Sequence, residues 1–171
     1  MANVIYIAGV PASGKTTICK IVMERLLKEV VQFKQGAVRG VRSADGRFQF
    51  LGVFDGTAFE GTDKLSMSVI GDAIAYCNGQ PSWSNILVEG DRLFNIRFLR
   101  SVGAKLFLID AEPSTLAARH KQRSDSQGAR FLRSRRTKVE NFAQKYNVKR
   151  YWNNTDNDKL RIVNEIISKL K

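Results

Sequence analysis

Gly9-Val10-Pro11-Ala12-Ser13-Gly14-Lys15-Thr16 decides the reading of this chain, because it fits the pattern G-x-x-x-x-G-K-[ST] at every fixed position. The residues before it, Asn3-Val4-Ile5-Tyr6-Ile7-Ala8, are apolar and β-branched and read as a short buried strand. In the residues after it, Ile18, Ile21, Val22, Arg25 and Leu26 fall near helical spacing. Strand, glycine loop and helix thus follow one another in the order a phosphate cradle requires. Gly9 and Gly14 permit a tight turn whose N–H groups converge, and the positive end of the helix dipole adds to them. Ala12, Ser13, Gly14 and Thr17 are expected to complete the cradle. Lys15 should reach the β- and γ-phosphates of ATP, and Thr16 should set its hydroxyl on Mg²⁺.

The chain has 171 residues, 43% of them hydrophobic, which fits one globular domain over residues 1–171 with a real core. No stretch approaches the ~20 apolar residues of a membrane span, and no leader pattern precedes the first strand. A soluble, cytoplasmic protein is expected. Cys19 and Cys77 lack metal-like spacing and read as small apolar fillers. The net charge of +12 is unusual for a metabolic enzyme. It is also localised: Arg119 to Arg150 holds eleven Lys/Arg against two acids. A solvated basic helix would account for part of it. A surface that meets a polyanion accounts for more.

Further along, Ala37–Arg42 and Arg47–Phe54 flank Ser43-Ala44-Asp45-Gly46, a hairpin signal over about residues 37–54. Asp55 to Ser66 reads as a loop and Met67 to Tyr76 as a helix. Ile86-Leu87-Val88 and Lys105–Ile109 read as buried strands. Helices are expected at Phe94–Val102, Pro113–Gln122, Phe131–Tyr146 and Leu160–Leu170, and a short strand at Val148–Tyr151. Buried strands alternating with helices argue for a three-layer α/β fold with a mostly parallel sheet. Its ligands should gather beyond the carboxyl ends of the strands. The expected class is a P-loop NTPase of nucleoside/nucleotide-kinase type, with a hairpin insertion and an Arg-rich helical lid over about residues 123–146.

Glu89 ends a buried strand, where such a fold keeps the acid that handles Mg²⁺; a role as base is open to it too. Asp91 competes for that part or caps the next helix. On the loop after the hairpin, Asp63 is preferred over Asp55 as the carboxylate that orients an attacking hydroxyl. Either can instead be a turn residue. In the lid, Arg130 and Arg133 are three apart and share a helical face. They are expected to meet the phosphates during transfer, with Arg135 and Arg136 pointing elsewhere, towards DNA or solvent. Trp83, Phe59 and Phe94 can stack on a base or pack in the core. His120 reads as structural.

The P-loop, together with Phe59-Glu60-Gly61-Thr62-Asp63-Lys64-Leu65-Ser66 and Val88-Glu89-Gly90-Asp91-Arg92-Leu93, resembles the small phage P-loop kinases that act on 5-hydroxymethyluridine in DNA. The resemblance covers roughly Val4 to Arg136, and the Gly-Thr-Asp-Lys-Leu-Ser segment is its more discriminating part. It implies an ATP-dependent kinase that phosphorylates the 5-hydroxymethyl group within DNA during thymine hypermodification. Asp63 and Glu89 would be active-site residues, and Thr62, Asp91 and Arg92 would lie on the substrate side. Three other classes share parts of the pattern: a kinase for a free nucleoside or nucleotide, a polynucleotide 5′-end kinase, and a switch NTPase. The last would carry Asn-Lys-x-Asp, which this chain lacks; its Asp125–Gly128 follows no expected strand.

Overall fold

The computed structural model describes residues 1–56, 60–122 and 128–170. Phe59 and most of Asp125–Gly128 lie outside the described residues, as does the first part of the expected lid. Strand β1 (Asn3–Gly9) is buried along its whole length, and its side chains alternate between two cores. Tyr6 and Ala8 face one, Ile5 and Ile7 the other. A strand covered on both sides has no polar face, which is why the sequence here is an unbroken apolar run.

β1 lies between β5 (Asn85–Glu89) and β6 (Lys105–Asp110), parallel to both. The full sheet has the order β2-β3-β4-β5-β1-β6-β7. Here β2 is Val31–Gln35, β3 Val38–Arg42, β4 Phe48–Leu51 and β7 Arg150–Trp152. β4 pairs with β5 and β7 with β6, again parallel, while β2 and β3 add an antiparallel edge. Helices α1 (Lys15–Leu26) and α6 (Asp156–Ser168) cover one face through Ile18, Val22, Ile162 and Ile166. On the other face lie α2 (Ile70–Gly79), α3 (Ile96–Ser101) and α5 (Ala129–Tyr146), through Tyr76, Phe98 and Val139. Leu116 of α4 (Pro113–Gln122) joins this second core. Among the described residues no helix is long and apolar enough to cross a membrane.

The element map differs from the sequence reading in three instructive places. Residues 31–35 form a strand where none was expected; four of its five residues are exposed, so it carries no apolar signal. β4 is built into the parallel sheet beside β5, so only β2 and β3 stand outside the strand–helix alternation. Helix α6 starts at Asp156, four residues before its first periodic apolar position. Thr155 and Asp158 form a reciprocal capping box there, and that cap sets the start.

The chain leaves β1 through α1 toward β4 on one side, and passes from β5 through α3 to β6 on the other. Loops therefore diverge above the carboxyl end of β1, and the crevice opens there. The turn out of β1 depends on close backbone approach: a Cβ on Gly9 would lie 1.9 Å from the Ile109 carbonyl oxygen. Gly9→Ala is expected to destabilise the fold by about 3 kcal/mol or more, read as a lowered midpoint in chemical denaturation. An unchanged midpoint would contradict the β1–β6 register.

Candidate active site

The loop from Gly9 to Gly14 wraps above β1 with Ala12 and Gly14 both in the left-handed region (φ 63° and 90°). Ala12 is a rare non-glycine residue there, a strain tolerated where the loop's N–H groups must face inward. Ser13 is fully buried, and its carbonyl accepts a 2.7 Å bond from Asn153 Nδ2. Lys15 and Thr16 open α1. The Lys15 ammonium donates to the Val10 carbonyl at 3.0 Å, folded back over the cradle it would serve.

Thr16 Oγ1 donates to Glu89 Oε1 at 3.3 Å, so the helix start and the end of β5 meet. Glu89 is only 2% exposed, and its second oxygen, Oε2, is buried with no hydrogen-bond partner among the described residues. Burial pushes its carboxyl up to about 7; Lys15 and the Thr16 hydroxyl pull it down, while Asp63 and Asp91 push it further up. An unpartnered carboxylate oxygen beside a threonine hydroxyl fits a hard divalent cation. Mg²⁺ characteristically uses one or two protein ligands and completes its shell with water and phosphate. Thr16 and Glu89 are the residues that would hold it.

The end of β5 is clasped by the loop around Gly61. Thr62 is fully buried and its hydroxyl donates to the Glu89 carbonyl at 2.9 Å, so this side chain braces the strand end. Gly61 and Gly90 leave room for these carboxylates: a Cβ on Gly61 would lie 2.4 Å from Glu89 Oε2, and one on Gly90 3.1 Å from Asp63 Oδ1. Asp63 Oδ1 accepts from the backbone N–H groups of Asp91 (2.7 Å) and Arg92 (3.1 Å). Arg92 returns a bond to the Asp63 carbonyl at 2.9 Å. Tyr6 donates to the Gly90 carbonyl at 2.8 Å. Burial, then Asp91, Asp63 and Glu89, raise its hydroxyl well above its ordinary value, so it stays protonated under the acidic cluster.

Thus Thr16, Thr62, Asp63, Glu89, Asp91 and Arg92 converge. Asp55 does not join them: it pairs with Lys64 at 2.6 Å on the exposed side of the loop. Arg130 and Arg133 are exposed in the first turns of α5 and make no ion pair among the described residues. Arg135 differs from its expected outward direction, for it reaches Asp91 at 3.4 Å and so lies over the acidic strand end. Arg136 pairs within its own helix with Glu140 at 3.0 Å. Of the candidate stacking rings, Phe94 is buried against Tyr6 and Phe142. Trp83 precedes β5, at the opposite end of the sheet from the crevice.

Beside the cradle, a cleft of about 200 Å³ is lined by Gly14, Thr17, Arg119, Gln122, Asn153 and Lys159. Four of these were not singled out in the sequence. Arg119, which also touches the Ala12 carbonyl at 3.4 Å, was visible only as part of the basic stretch. Asn153 and Lys159 come from the turn after β7 and from α6, and no motif marks them. The cleft is cationic and adjoins the cradle, as a nucleotide with its phosphates in the loop requires.

A glycine loop above a parallel strand, a Lys-Thr pair opening the next helix and an acid ending the neighbouring strand define a P-loop NTPase. Residues 1–161 match the family described as P-loop Nucleotide Kinase3, and the chain belongs to that family. No curated protein matches the chain.

Glu89 makes a pH dependence measurable. In the metal-free protein its proton is released near 7, against an ordinary value of 4.5. The folded state therefore holds more protons between these values. The stability Glu89 contributes is present at low pH and lost as pH rises through about 7. Glu89→Gln removes the charge and keeps the shape. It is expected to be more stable than the parent at pH 8, by roughly 1–3 kcal/mol, and about equal at pH 5. Denaturant titrations with a chelator present check this; a pH-independent difference would contradict it.

Proposed function

We propose that this protein is a kinase that transfers the γ-phosphoryl group of ATP to the 5-hydroxymethyl group of 5-hydroxymethyluridine within DNA. The observation that carries the reading is the position of the surplus charge. Helix α5 has six Lys/Arg against one Glu, and through Arg135 it borders the acceptor end of the acidic cluster. A kinase for a free metabolite needs cations for the nucleotide and little more. A kinase for a polymer must also hold backbone phosphates, and a basic helix beside the acceptor position does so.

ATP with Mg²⁺ supplies the phosphoryl group and the counter-charge to it. The residues here supply position and proton handling. The main-chain N–H groups of the Gly9–Gly14 loop hold anionic oxygens, and Lys15, released from the Val10 carbonyl, adds its charge to them. Asp63 is fixed by the two N–H groups on Oδ1, which leaves Oδ2 to orient the acceptor hydroxyl and take its proton. The acceptor oxygen forms the new bond to phosphorus as the bond to the β,γ-bridging oxygen breaks and ADP departs. Arg130 and Arg133, exposed at the start of α5, are the cations on this side that backbone phosphates of the strand would meet. Because the crevice lies among loops above the sheet, the target nucleotide leaves the base stack to reach it.

The test is direct. The protein is incubated with labelled ATP, Mg²⁺ and hydroxymethyluridine-containing DNA, ordinary DNA or free nucleosides. The products are digested and the label is located by mass spectrometry. Label is expected on the hydroxymethyl oxygen of internal nucleotides. Label on strand 5′ ends, or on free nucleosides alone, would replace this reading by a polynucleotide end kinase or a small-molecule kinase. Lys15→Ala is expected to lower transfer at least ~100-fold with an unchanged folding midpoint; near-normal turnover would refute the role of Lys15.

A further inference from the structure

Phe131 sits at the start of α5 and leaves 41% of its surface exposed. The guanidinium of Arg135, one helical turn on, lies over its ring with the carbon 4.9 Å from the centroid. The same guanidinium reaches Asp91 at 3.4 Å, and the Asp91 N–H donates to Asp63 at 2.7 Å. An exposed ring is thus linked, through one arginine, to the acceptor end of the acidic cluster. The other exposed tryptophan and phenylalanine rings among the described residues lie elsewhere. Trp83 is at the far end of the sheet, and Trp152 ends β7 on the nucleotide side.

The chemistry around Phe131 narrows its occupant. Arg130 and Arg133 flank it in sequence, exposed and without an ion pair among the described residues. An apolar partner would leave these guanidinium groups unmatched, and a bare polyanion would leave the ring without a contact. A nucleotide in a strand satisfies both, because its base has a π-face for the ring and the arginine plane, and its neighbours carry phosphates. We infer that Phe131 and Arg135 form a stacking platform for an unpaired nucleobase of the polynucleotide substrate, with Arg130 and Arg133 on the flanking phosphates. The inference rests on the DNA-kinase reading for its biological setting, but the platform itself is a binding property that can be measured without any transfer.

Two end-labelled single strands of equal length and phosphate number separate the contributions, one of thymidine nucleotides and one of abasic nucleotides. Affinities are measured by fluorescence anisotropy with the full-length protein. The parent is expected to prefer the thymidine strand. Phe131→Ala is expected to weaken thymidine-strand binding about tenfold, the scale of one base–aromatic stack, and to leave abasic-strand binding within about twofold. Phe131→Trp should keep the preference, and circular dichroism of each variant shows that α5 is intact. Equal losses on both strands, no loss on either, or no strand binding by the parent would each overturn the platform. If base-dependent binding is lost in Phe131→Ala while label transfer goes only to free nucleosides, the platform stands and the DNA-kinase reading falls. If transfer to hydroxymethyluridine DNA occurs without a Phe131 effect on binding, the reverse holds.

Discussion

The arrangement turns on one buried carboxylate. Glu89 ends the strand beside β1 with an oxygen that no group among the described residues satisfies, and burial alone would favour its neutral form. Its neighbouring carboxylates, Asp63 and Asp91, oppose ionisation further. Among the described residues, the Lys15 charge and then the Thr16 hydroxyl favour it. A residue held this way is costly to the fold unless a cation arrives. The neighbouring loops are shaped around it, since Gly61 and Gly90 lack side chains where a Cβ would press on Glu89, Thr62 or Asp63. The Thr62 hydroxyl then pins the strand end in place. A buried carboxylate with a raised pKa, set among glycines that make room for it, is the arrangement from which the Mg²⁺-handling proposal starts.

What the sequence made legible follows from how local each signal is. The Gly9–Thr16 loop and the apolar strands were readable because they depend on contiguous residues and on burial of both sheet faces. Glu89 was readable because it ends such a strand. Asn153 and Lys159 were not, because they reach the cradle from the other end of the chain and only tertiary packing brings them there. Thr62 and Asp63 were visible as residues, but the division of labour between them was not. One braces a carbonyl and the other accepts two N–H groups, and both facts depend on where β5 ends relative to the Gly61 loop. β2 escaped notice for the opposite reason, being an edge strand with almost no buried surface.

Arg135 shows how composition can place a charge in the right region and still misjudge its direction. Counted along the sequence, it is one of eleven basic residues between Arg119 and Arg150. In three dimensions it turns inward to Asp91, while Arg136 is matched by Glu140 on its own helix. The free positive surface of α5 is therefore smaller than the count implies, and its exposed arginines without an ion pair among the described residues, Arg130 and Arg133, lie at its amino-terminal turns.

That asymmetry bears on how one helix can serve two partners. An ion pair between partly exposed groups contributes little to stability, of order 1 kcal/mol or less, so the Arg135–Asp91 contact cannot lock α5 against the sheet. It does hold the guanidinium over Phe131 and above the cluster in which Asp63 is fixed, with little energy to be recovered before the arginine moves. An incoming phosphate competes on favourable terms for such an arginine, because it offers a stronger charge-assisted acceptor than one surface carboxylate. The same exchange would free Asp91 beside the acceptor. On the proposed reading, a phosphate-bearing substrate would reach the acidic cluster through this one contact, and a weak contact is the kind such a phosphate can displace.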